Sequence, residues 1–231
     1  MNNAFSMHIL DLLFPKFCVS CGSVGSYICA FCQKTIKPIL EPVCPVCERP
    51  AIKGKTHTYC QGKYTLEGLI SFFAYQGVIQ KAIKHVKYRF ASDMATTLIS
   101  LAIKSQNIIE RYPALQGATV IPIPLHPSRY RFRGFNQAAL FGKQLANAYN
   151  LEYAQDIIKR TVVSPPQVEM KTKKERIENI KDVFEVNNRV VIPPVILLVD
   201  DVFTTGATMR EAGKVLKLHG AQQVWAVTVA R

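Results

Sequence analysis

Val195-Ile-Leu-Leu-Val-Asp200-Asp201-Val-Phe-Thr204-Thr205-Gly206-Ala207-Thr208 is the stretch that decides the fold. Five consecutive Val, Ile and Leu residues leave no polar face, so the segment reads as a strand buried on both sides, as in a parallel sheet covered by helices. It ends on two adjacent carboxylates, and a hydroxyl-rich turn then opens a helix predicted over Thr208–His219. Strand, turn and helix in that order are the building unit of an α/β sheet with helices on both faces.

The same rhythm recurs outward in both directions. Gln223–Val229 is a further strand, and Ala118–Pro124 is a strand followed by a helix over Asn136–Asn150. Upstream, Leu69–Tyr75 is a short aromatic and β-branched strand. Gly77 then opens a helix with Ile79, Ile83 and Val86 on one face and Lys81, Lys84 and Lys87 on another. A second helical pattern is predicted over Ser92–Arg111, broken before Pro113.

Each part of the deciding stretch has a chemical task. Adjacent like charges repel, so Asp200 and Asp201 need compensation from sugar hydroxyls, a divalent cation or basic side chains, and two carboxylates can take the two hydroxyls of a ribose. Thr204, Thr205, Gly206, Ala207 and Thr208 aim backbone N–H groups and hydroxyls at one spot at a helix N-terminus, where the helix dipole favours a phosphate. A helix cap alone would need one such residue, whereas five polar side chains crowd this turn.

Two more segments belong with it. In Ile121-Pro-Ile-Pro-Leu-His126-Pro-Ser-Arg129-Tyr-Arg131-Phe-Arg133-Gly-Phe-Asn136-Gln137 a strand end is followed by three arginines at alternate positions. Arginine forks suit pyrophosphate oxygens, and Arg131 reads equally as part of a solvated basic loop. Gln167, Lys171, Lys173, Lys174, Arg176 and Asn179 lead polar chain to Phe184, either a hinged lid over a reactive site or an exposed charged helix.

All seven cysteines lie between Cys18 and Cys60. Cys18/Cys21, Cys29/Cys32 and Cys44/Cys47 are CxxC pairs, and His57xxCys60 completes a fourth. Paired knuckles supply the four ligands of tetrahedral zinc, so two zinc ions are expected: Cys18, Cys21, Cys29, Cys32 for one, and Cys44, Cys47, His57, Cys60 for the other. A cross-braced pairing stays open. An odd cysteine count and repeated CxxC spacing argue against disulfides, and four protein ligands per ion leave no open position for chemistry, so the zinc is structural. The segregation predicts a zinc-ribbon domain over 1–65 and an α/β domain over 66–231.

The formal net charge is +13, with 22 of the 29 basic residues beyond position 67. Such a surplus favours a phosphorylated ligand or a nucleic acid and leaves direct nucleic-acid contact open. Met1–Cys18 lacks the layout of a signal peptide, and Phe5, Ile9, Leu12 and Leu13 at helical spacing read as a helix docking on its own domain. No segment is apolar over the length of a membrane span.

The Asp200–Thr208 segment resembles the phosphoribosyl pyrophosphate signature of type I phosphoribosyltransferases, in which two acids hold the ribose and a Thr/Ser/Gly-rich loop holds the 5′-phosphate. Together with the cysteine pairs, Lys87-Tyr88, the PxPLHxxRxxxRGFNQ run at 122–137 and the Gln167, Arg176, Asn179, Phe184 set, nearly the whole chain is similar to the ComF family. The resemblance implies a type I phosphoribosyltransferase-like sheet behind a zinc ribbon. It also implies a cytoplasmic bacterial protein needed for natural transformation, acting where incoming single-stranded DNA arrives. On that basis magnesium phosphoribosyl pyrophosphate is the expected ligand, with Asp200 and Asp201 at the ribose, Thr204–Thr208 at the 5′-phosphate, Arg129 and Arg133 at the pyrophosphate, and Lys87 near the site. The fold also occurs in proteins that bind this ligand without turning it over, so transfer to an acceptor stays open beside a nucleic-acid-binding adaptor with a regulatory or vestigial pocket. Single-stranded DNA and proteins of the DNA-uptake machinery are the expected partners. Nucleobase salvage ranks below both readings, for want of a base-recognition motif.

Overall fold

A computed structural model describes residues 15–86, 91–161 and 183–231. Its centre is a five-stranded, all-parallel sheet in the order β1-β7-β6-β2-β3, built from β1 (Gly68–Phe73), β2 (Thr119–Pro122), β3 (Glu152–Tyr153), β6 (Val195–Val202) and β7 (Gln223–Ala230). A separate antiparallel pair joins β4 (Ile158–Arg160) to β5 (Phe184–Val186).

The helices are the turn α1 (Ala30–Gln33), α2 (Gly77–Val86), α3 (Ala91–Ser105), α4 (Ile108–Arg111), α5 (Pro127–Arg133), α6 (Gln137–Tyr149) and α7 (Ala207–Leu218). Strand β6 shows why the apolar run has no polar face. Leu197 and Val199 enter one buried cluster with Phe141 and Leu145 of α6, while Ile196 and Leu198 enter a second with Ala212 and Leu216 of α7. Successive side chains leave opposite faces of a strand, so both layers must be apolar. Each fully buried Leu or Ile contributes about 1.5–3 kcal/mol relative to exposure.

The chain runs outward from β2 to β3 through α6, and outward the other way from β6 to β7 through α7. The gap between the carboxyl ends of β2 and β6 is therefore the switch point of the sheet, where α/β proteins open a crevice. The cysteine-rich region is tied to the far edge by the bridges Pro38↔Phe73 and Lys55↔Gly68. Beside them, Glu67 accepts from both Lys217 Nζ and the Val224 N–H. Among the described residues no helix is long and apolar enough to cross a membrane.

Three expectations are corrected. The predicted helix over 92–111 is two: Asn107 adopts an extended conformation and its side chain accepts from the Ile109 and Glu110 N–H groups, capping α4 as a new start. The chain bearing the three arginines is the helix α5, started by His126 Nδ1 accepting from the Ser128 N–H at 3.2 Å and ended at Gly134. The central strand runs on through both carboxylates to Val202, which pairs with Ala230, because β7 is long enough to keep pairing with it. The helical pattern over Phe5–Leu13, together with Lys87, Tyr88, Arg89 and the segment from Gln167 to Asn179, lies outside the described residues.

Candidate functional site

The cysteine region folds into two knuckle pairs, and the ligand atoms form two sequential quartets: Cys18, Cys21, Cys29, Cys32, and Cys44, Cys47, His57, Cys60. Within each quartet all ligand atoms lie within 4.8 Å of one another. A zinc tetrahedron with Zn–S arms of about 2.3 Å has edges of roughly 3.8 Å, so the residues fit the ion. Cys21 Sγ to Cys29 Sγ at 3.6 Å is close to such an edge, and Cys47 Sγ to His57 Nδ1 at 3.3 Å is near the shorter edge that a Zn–N arm of about 2.0 Å gives. His57 Nε2 lies 3.0 Å from the Pro50 carbonyl. Donating its proton there leaves Nδ1 as the ligand atom, the outer-shell contact that fixes a histidine's tautomer.

Without a cation such a quartet cannot ionise fully. Burial would raise the Cys18 thiol, yet backbone N–H groups of Cys29, Cys21 and Ser20 draw it down to about 6. Burial and the neighbouring thiols push Cys32 up to about 12. A divalent ion removes that conflict by holding every sulfur as thiolate.

The second feature is a cavity of about 560 Å³ at the switch point. Its floor is the end of β6, with Asp200 half-buried and Asp201 6% exposed. Asp200 Oδ1 accepts from the Asp201 N–H at 2.8 Å and Asp201 Oδ1 from the Val202 N–H at 2.9 Å, which turns each carboxylate against its own backbone. One wall is Thr204–Thr208 at the start of α7. Gly206 is the helix N-cap in a left-handed conformation, φ 68°, and having no side chain it gives the first turn no cap. Thr205 Oγ1 takes the Ala207 N–H at a long 3.5 Å. The helix thus opens onto the cavity with its dipole's positive end.

The opposite wall is basic. Arg129 and Arg133 stand one turn apart on the half-buried face of α5, and Arg133 Nη1 donates to Gln137 Oε1 at 2.8 Å. Arg131 faces solvent on the other side. Arg160, at the end of β4, is the third guanidinium in the cavity and stacks 5.7 Å from the Phe184 ring centroid. Burial lowers its pKa and the positive charge of Arg129 lowers it further, while the carboxylate of Asp200 opposes both. Cations and carboxylates therefore share one electrostatic neighbourhood.

A family model described as a double zinc ribbon domain matches residues 9–62. Competence protein ComFC of Streptococcus pneumoniae is 30% identical over 210 residues, covering 89% of this chain and 88% of that one. DNA utilization protein YhgH of Escherichia coli O157:H7 is 28% identical over 93% of this chain and 97% of its own. Competence protein ComFC of Bacillus subtilis is 26% identical over 88% and 84%. The chain belongs to the ComF family.

In this ComF-family chain the residues singled out by sequence converge as two groups. Asp200, Asp201, Thr204, Thr205, Gly206, Ala207, Thr208, Arg129 and Arg133 line one cavity, and the eight zinc ligands sort into sequential rather than cross-braced quartets. Two residues were missed. Arg160 had only the signal of a lone arginine at the end of the apolar stretch Ile157–Ile158. Arg210 had a subtler one, since a cation in the first turns of a helix opposes the macrodipole and needs a partner that offsets this. Its Nη2 donates to the Thr205 carbonyl at 2.7 Å and its Nη1 to the Pro45 carbonyl at 2.8 Å.

Proposed function

We propose that the chain binds phosphoribosyl pyrophosphate with magnesium in the switch-point cavity and acts in DNA uptake, in line with the names its relatives carry. One observation supports this above all: two carboxylates, an uncapped helix N-terminus and three arginines line the same 560 Å³ space. Asp200 and Asp201 would take the ribose hydroxyls, Thr204–Thr208 the 5′-phosphate, and Arg129, Arg133 and Arg160 the pyrophosphate. Lys87 is assigned near the site from the family resemblance.

The chemistry such a set favours is transfer of the phosphoribosyl group. The bond from the anomeric carbon to the pyrophosphate oxygen breaks, its electron pair leaving with pyrophosphate, and an acceptor nucleophile bonds to that carbon. Arginines fixed before the reaction stabilise the leaving charge, and the Asp200 and Asp201 carboxylates stabilise the cationic sugar. Bound magnesium supplies further neutralisation of the pyrophosphate. Calorimetric titration of magnesium phosphoribosyl pyrophosphate tests the reading: saturable binding to the zinc-loaded protein, lost in a folded Asp200→Asn, Asp201→Asn variant. A wild type that does not bind ends it.

A second reading has its own support. On α5, Phe132 is 88% exposed and Tyr130 51% exposed, interleaved with Arg129, Arg131 and Arg133. Exposed aromatic rings among arginines suit the bases and phosphates of single-stranded DNA. An adaptor of that kind would bind single-stranded DNA in a salt-dependent way with both aspartates replaced and lose it on Tyr130→Ala, Phe132→Ala. DNA binding that disappears with the aspartates places the strand in the cavity instead.

A further inference from the structure

The two zinc ribbons do not sit alike on the sheet. In the first, Cys18, Ile28 and Cys32 join the buried cluster that holds α2 and α3. In the second, Val43 joins the other cluster, which contains Phe203, Ala207 and Met209, the residues on either side of the Thr204–Gly206 turn. Among the described residues, the second ribbon is the one that shares a buried cluster with the flanks of the phosphate-type loop.

Arg210 makes that contact specific. It lies one turn beyond Gly206 and donates its backbone N–H to the Gly206 carbonyl at 2.9 Å. Its guanidinium forks between the Thr205 carbonyl and the carbonyl of Pro45, the first of the two residues between the ligands Cys44 and Cys47. A Cβ added at Gly206 would come within 2.6 Å of Arg210 Nη1 and 2.1 Å of Phe203 Cζ, so the loop, the guanidinium and the ring are already in close contact. The Pro45 carbonyl is in turn held by the knuckle, where the Glu48 N–H donates to the Cys44 carbonyl at 2.9 Å and the Cys44 N–H to the Arg49 carbonyl at 3.0 Å. A zinc ion that fixes Cys44 and Cys47 fixes Pro45 between them. Through one planar fork it then fixes the carbonyl of Thr205.

We propose that Arg210 is a positioning residue that couples the second zinc site to the Thr204–Thr208 loop, so that loss of zinc from Cys44, Cys47, His57 and Cys60 loosens the loop and weakens its hold on a sugar phosphate. The binding half of this rests on the function proposed above. The coupling itself rests on the contacts alone. Reciprocity follows: a ligand that orders the loop retains the second zinc.

The test is a double-mutant cycle in the full-length, zinc-loaded chain. Arg210→Met keeps the length of the side chain and removes the fork, and Cys47→Ser opens the second zinc site. Each single variant binds magnesium phosphoribosyl pyrophosphate about tenfold more weakly, within the usual range of coupling between sites, and the double variant binds no worse than either. Losses that multiply, or an Arg210→Met protein that binds like wild type, overturn the coupling. Amide hydrogen exchange over 204–208 reads the same cycle without ligand. Faster exchange in both singles and none faster still in the double supports the coupling, and unchanged exchange in Arg210→Met overturns it. A wild type that fails to bind therefore removes the sugar-phosphate reading while the exchange data still decide the coupling. Should Cys47→Ser not fold, zinc transfer to a chromogenic chelator keeps the question open to refutation. Arg210→Met releases one of its two zinc ions faster than wild type if Arg210 couples them, and at the same rate if it does not.

Discussion

Gly206→Ala puts the loop to a quantitative test. Alanine at φ 68° incurs the left-handed penalty of about 1–2 kcal/mol for an L-residue. Its Cβ would also lie 2.1 Å from Phe203 Cζ and 2.6 Å from Arg210 Nη1, and Phe203 is buried, so the ring has little room to move. Forcing a methyl into a packed site costs about 1–3 kcal/mol more, giving a total of about 2–5 kcal/mol. Gly117→Ala is the control, because Gly117 has a similar φ of 75° but nothing within 4 Å of the added carbon, and it sits in a turn away from the cavity. Urea unfolding of the zinc-saturated proteins, followed by Trp225 fluorescence, should place Gly117→Ala about 1–2 kcal/mol below wild type and Gly206→Ala clearly below that. Calorimetry should show that only Gly206→Ala loses sugar-phosphate binding. Equal destabilisation by the two substitutions would refute the close packing of Phe203, Gly206 and Arg210 on which the geometry of the loop depends.

Arg160→Met should weaken pyrophosphate and phosphoribosyl pyrophosphate binding about tenfold while leaving ribose 5-phosphate unaffected, since a charged hydrogen bond is worth about 1.5–3 kcal/mol only to the group it touches. Equal losses for both ligands in paired titrations would move Arg160 away from the pyrophosphate. His57→Ala should leave about one tightly held zinc per chain by metal analysis, because only the second quartet contains it. A preparation that still holds two would remove His57 from the ligand set.

The sheet was legible because burial on both faces forces apolar runs, and Val195–Val199 and Val224–Val227 carry that mark plainly. The zinc quartets were legible for a local reason too: the loop of seven residues between Cys21 and Cys29 lets adjacent knuckles close on one ion. What escaped was decided by single side chains acting at a distance. Asn107 broke a helix whose apolar periodicity continued across it, because two capping bonds outweigh a weak propensity. His126 began α5 with a ring nitrogen, which is not among the usual capping groups. Arg160 reaches the cavity only because β4 and β5 pair across 23 intervening residues, and Arg210 meets Pro45 across 165 positions of sequence, contacts that no local pattern encodes.

Binding in the switch-point cavity is tested most directly by a crystal structure of the zinc-loaded protein with magnesium phosphoribosyl pyrophosphate. The 5′-phosphate is expected on the N–H groups of Thr205–Thr208, the ribose hydroxyls at Asp200 and Asp201, and the pyrophosphate among Arg129, Arg133 and Arg160. A ligand-free cavity at saturating concentration, or a ligand held away from Asp200 and Asp201, would contradict it.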